Sequence, residues 1–109
     1  LGLRALGAAR HAEGGALLAV EPPGVLLSAF KPAEDGRGAV LRLLNPAAAA
    51  LVASVRMAPA LAEQVGDIQP VDLDERPAGG IFQAEAGVFR LDLPPYSLRS
   101  LRLSAREAG

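Results

Sequence analysis

Apolar and polar positions alternate along this chain in short stretches, each closed by glycine or proline. In "VFRLDL" Phe89, Leu91 and Leu93 fall on one face and Val88, Arg90 and Asp92 on the other, the period of two expected of a half-buried strand. "LVASVRM" repeats the pattern, with Leu51, Ala53, Val55 and Met57 opposite Val52, Ser54 and Arg56. "GVLLSAFK" and "AVLRLLN" are nearly continuous apolar runs, interrupted by Ser28 and Arg42, and predict central strands covered on both faces. The intervening "PAEDGRG" holds Asp35-Gly36, a favoured turn pair, so residues 24 to 45 are expected to form a hairpin. In "YSLRSLRL" Leu98 is out of phase with Leu101 and Leu103, which predicts a β-bulge near Arg99-Ser100 if all three are to share one face.

Breakers recur too closely for an ordinary helix: Pro22-Pro23-Gly24, Asn45-Pro46, Pro59, Pro70, Pro77, Gly79-Gly80, Gly87 and Pro94-Pro95. The expected fold is therefore all-β, an antiparallel β-sandwich of short strands. It occupies residues 15–109. Residues 1–14 read as a linker or an added edge element.

Composition narrows the function. A chain of 109 residues is one domain with a modest core, and with 4% aromatic residues that core must be built from leucine and valine. A net charge of -1 argues against nucleic acid as a partner, and no apolar run approaches the length of a membrane span. The absence of cysteine suits a reducing, cytoplasmic setting. A first residue of leucine rather than methionine suggests a piece of a longer polypeptide.

Candidate chemistry is sparse. His11 is the only histidine, which rules out a multi-histidine metal site and a serine-histidine-aspartate arrangement within the chain, and it reads as a solvated linker residue. The carboxylates cluster at Glu34-Asp35 and at Asp72, Asp74 and Glu75, where a turn and an exposed strand face or strand end account for them; a calcium site at the second cluster is the competing reading. Lys31, the only lysine, stands where a strand edge would be blunted, while Arg42 lies inside an apolar strand and needs a carboxylate or carbonyl partner if buried. Asn45-Pro46 can close a strand by a side-chain-to-backbone turn. Tyr96 is expected to pack its ring at a strand start.

The stretch "VLLSAFKPAEDGRGAVLRLLNP", followed by "PVDLDERP" and "LPPYSLRSLRL", resembles the C-terminal β-sandwich region of glycoside hydrolase family 38, the α-mannosidases, in order and spacing from about Leu17 to Leu103. Phe30, Leu44 and Ser100 depart from the residues usual there. The resemblance implies a parent that is a zinc-dependent, retaining α-mannosidase acting on mannose-containing glycans, with its zinc ligands and nucleophile in a catalytic domain outside this chain. It implies no cofactor here and a role in bracing the remaining domains of the glycosidase. Lys31, Glu34, Asp35, Arg42 and Asn45 fall at the family-like positions and are the candidates for interdomain or glycan contact, Arg42 and Lys31 as donors. The alternative is an independent carbohydrate-binding module, which would need a platform of exposed aromatic rings.

Overall fold

The structure is a computed structural model that describes residues 17–34 and 38–106. Seven strands form within them: β1 (Leu18–Glu21), β2 (Leu26–Pro32), β3 (Gly38–Leu44), β4 (Leu51–Met57), β5 (Val65–Val71), β6 (Val88–Leu93) and β7 (Leu98–Ala105). One short helix, α1 (Pro59–Ala62), starts at a proline, which has the backbone angle of a first helical turn and no N–H to lose there. The strands make two antiparallel sheets, β1-β4-β6 and β2-β3-β7-β5, so the fold is an all-β sandwich, as the alternation predicts.

Only β2 and β3 are joined within one sheet; every other connection between these strands crosses from one sheet to the other. Inward-facing residues of both sheets then meet in a single core. Ala53, Val55, Met57, Phe89 and Leu93 come from the smaller sheet, and Phe30, Ala39, Leu41, Leu43, Ile68, Leu101 and Leu103 from the larger. Apolar burial of this kind is worth about 25 cal/mol per Å², and it sets which phase of each alternation points inward.

The alternations read for β4 and β6 hold residue by residue: Ala53, Val55 and Met57 are buried while Val52 and Arg56 are exposed, and Phe89 and Leu93 are buried while Arg90 and Asp92 are exposed. The hairpin also forms, with Leu26 opposite Leu44 and Pro32 opposite Ala39; its Asp35-Gly36 turn lies outside the described residues, as does His11.

Three expectations are corrected. β3 is central and buried, but β2 is the edge of its sheet, with Leu26, Leu27 and Ser28 exposed. β7 runs against β3 without a register shift, so there is no bulge at Arg99-Ser100; Leu98 simply points away from the core, in phase with Ser100 and Arg102. The shifts fall instead between Leu27 and Ala29 on β2 and between Val65 and Ile68 on β5. Tyr96 is 71% exposed, because its backbone takes the left-handed conformation (φ 54°) in the turn that follows Pro95. A ring thrown outward there cannot pack at the start of β7.

Candidate functional site

The outer face of the four-stranded sheet carries two of the residues singled out in the sequence, Lys31 and Arg42. Cross-strand partners share a face, so the register lays out its rows directly. Leu26, Leu44 and Leu98 form one row, Ala29, Arg42, Ser100 and Val71 the next, and Lys31, Val40, Arg102 and Gln69 the third. Leu26 is 48% and Leu98 39% exposed, and Leu44 is half-buried. The apolar residues that broke the strand alternation therefore sit side by side.

From the β5 side of the second row onward, where Val71 and Ser100 are buried, this face is covered. Leaving β5 at one edge, the segment 72–77 carries Glu75 to the β2–β3 turn at the opposite edge, where a Glu75 carboxylate oxygen accepts the Glu34 backbone N–H at 3.0 Å. Val40, in the third row, is fully buried although it is no part of the core between the sheets. Asp72 shapes the segment: its Oδ1 accepts the N–H groups of Asp74 and Arg76 at 2.8 and 3.0 Å. Asp72 and Asp74 thus follow the strand end, and among the described residues no group of three or more potential ligands is placed to hold a metal ion.

The five candidates separate by environment. Arg42 is half-buried, and its Nε donates to Ser100 Oγ at 3.0 Å. Its two terminal guanidinium nitrogens meet no acceptor among the described residues. Lys31 is half-buried at the penultimate position of the edge strand, beside Pro32, and also meets no partner there. Glu34 is exposed and contributes only its backbone N–H, and Asp35 lies outside the described residues.

Asn45 differs from all of these. It is fully buried, and its Nδ2 donates to the carbonyls of Ala49, Leu93 and Pro94 at 2.9, 3.1 and 3.0 Å, while its Oδ1 accepts the Ala47 N–H at 2.9 Å. It closes the strand by the side-chain-to-backbone turn read from the sequence, and it also ties the β3–β4 crossing to the β6–β7 crossing. Its side chain reaches no outside surface.

A second concavity, open and of about 1140 Å³, lies at one end of the sandwich between α1, β5, the end of β7 and residues 83–87. Three of its polar side chains are bonded within the fold. Arg106 donates to the carbonyls of Ala62, Glu63 and Val65, which satisfies the C-terminal end of α1, and Gln83 Nε2 donates to Asp67 Oδ1 at 2.8 Å. Sequence reasoning missed this cleft, since its residues meet only through sheet crossings. It also missed Ser100 as the partner of Arg42, which the register alone supplies.

The chain matches no protein-family model, no curated protein and no solved structure. Among the described residues no helix is long and apolar enough to cross a membrane.

Proposed function

We propose that this chain is a non-catalytic β-sandwich domain of a larger glycosidase of the α-mannosidase type, docked on the remaining domains through the outer face of its four-stranded sheet. One observation carries the docking: the row Leu26, Leu44 and Leu98, apolar side chains gathered on the outer face beside a half-buried arginine two of whose nitrogens meet no acceptor among the described residues. Neighbouring exposed leucines on one sheet face are what a docking surface would present. The α-mannosidase identity comes from the resemblance, and the segments that carry it assemble around this same face as β2–β3, the crossing segment 72–77 and β7. Zinc and the mannose-containing glycan belong to the parent's catalytic domain, and the lack of cysteine agrees with a cytoplasmic setting.

A free-standing carbohydrate-binding module fits the geometry less well. Phe30 and Phe89 are in the core and Phe82 packs edge-on against Phe89 with ring centroids 5.8 Å apart, which leaves Tyr96 as the one well-exposed ring. One ring is a weak stacking platform.

The test is to isolate the native polypeptide with an antibody against this domain and to measure its mass and its α-mannosidase activity with and without a zinc chelator. A polypeptide several-fold heavier than 11.2 kDa with chelator-sensitive activity is expected; a free chain near 11.2 kDa without activity overturns the proposal.

A further inference from the structure

The sheet face also says what chemistry its partner carries. A guanidinium presents its donors as a planar fork that matches a carboxylate through two parallel hydrogen bonds. Arg42 is half-buried and held at Nε by Ser100 Oγ, so the orientation of its fork is already set, while its terminal nitrogens meet no acceptor among the described residues. An arginine partly withdrawn from water gains more from a carboxylate than an exposed one does. Ala29 and Ser100 flank it in its own row, and the leucine row lies immediately beyond. Lys31 and Arg102 stand in the next row of the same face.

The way in is also defined. β2 cannot readily extend its sheet by pairing with another strand, because its register breaks between Leu27 and Ala29 and its end carries Lys31 and Pro32, three devices that blunt a sheet edge. The segment 72–77 leaves β5 at Val71 in the second row and reaches Glu34 beyond the third. The open part is the leucine row together with the Ala29–Arg42 side of the second row; Ser100 and Val71 at the other side of that row are buried. Arg42 and Leu44 are two residues apart on β3, about 7 Å along the strand, which is also the spacing of side chains i and i+2 on one side of an extended peptide.

We propose that this face receives an extended polypeptide segment in which a carboxylate side chain, set on Arg42, stands two residues from an apolar side chain set on Leu26, Leu44 and Leu98. The inference rests on the docking reading only in requiring a protein partner for this face; it is independent of the parent's enzymatic identity.

The test uses the isotope-labelled 109-residue chain and two end-blocked peptides, acetyl-Thr-Glu-Thr-Leu-Thr-amide and the same peptide with Gln for Glu, with inorganic phosphate as a separate titrant. The Glu peptide is expected to move the Arg42 Nε–H resonance and the methyl resonances of Leu26, Leu44 and Leu98, and to bind at least tenfold more tightly than the Gln peptide. Arg42→Gln should bring the Glu peptide down to the Gln level with the amide spectrum of the strands preserved. Should that variant unfold, Arg42→Lys, which keeps the charge and loses the fork, should weaken the Glu peptide several-fold. Equal binding of the two peptides, perturbations confined to the cleft at the other end of the sandwich, or an equal response to phosphate alone would each overturn the proposal. A light native polypeptide would remove the glycosidase reading and leave this result untouched.

Discussion

Asn45 shows how a single side chain can hold a sandwich closed. Its four hydrogen bonds reach two separate sheet crossings, and Ser97 reinforces the same corner by donating from Oγ to the Pro94 carbonyl and by accepting the Asn45 N–H at its own carbonyl. Removing the amide strands several backbone groups in a place water cannot reach, and each buried unsatisfied group costs about 1 to 3 kcal/mol. Asn45→Ala is therefore expected to destabilise the domain by about 3 kcal/mol, read as a fall in Tm of roughly 10 °C or more in thermal unfolding. Arg42 contrasts with it: one nitrogen is engaged by Ser100, and the other two meet no acceptor among the described residues. The sequence marked both residues as polar interruptions near strand ends or interiors. What separated them was whether the neighbouring crossings supplied acceptors, which no local pattern encodes.

At the level of elements, the hairpin was the most legible part. β3 begins at Gly38, whose φ of 141° lies where side chains rarely go, and a Cβ there would stand 2.3 Å from the Leu103 carbonyl oxygen on β7. Backbone cannot yield to that contact as a flexible side chain could. Gly38→Ala should cost about 2 kcal/mol or more and lower the midpoint of chemical denaturation accordingly, with the far-UV spectrum still that of a β protein. The expected bulge in β7 failed for an instructive reason. It assumed that Leu98, Leu101 and Leu103 all belong to one core, whereas the unshifted pairing with β3 assigns Leu98 to the opposite face. β2 failed likewise, since its leucines were read as evidence of coverage by this chain and they lie instead at its edge.

For the whole molecule these two misreadings have one explanation. Leu26 and Leu98 are apolar without being buried by the rest of the described chain, and together with Leu44 they form one row on one face. If that row serves a partner and not the core, replacing it should leave the domain itself intact. The double variant Leu26→Gln/Leu98→Gln is expected to change the unfolding free energy of this chain by about 0.5 kcal/mol or less, in line with exposed positions, while lowering the thermal stability of the parent polypeptide. A large loss in the isolated chain would place these leucines in its core and remove the basis for a docking face.

Sequence alone was enough to determine the fold class, the hairpin, the alternation of β4 and β6 and the exclusion of a multi-histidine site within this chain, because each depends on spacing along the chain and on which residue types are present at all. Sheet order, the edge position of β2, the capture of Asn45 by two crossings, the pairing of Arg42 with Ser100 and the assembly of the leucine row were decided only in three dimensions. The reason is topological. Nearly every strand connection here passes from one sheet to the other, so neighbours in space come from distant parts of the chain. The hydrophobic pattern tells which residues avoid water but not whether this chain or a partner shields them.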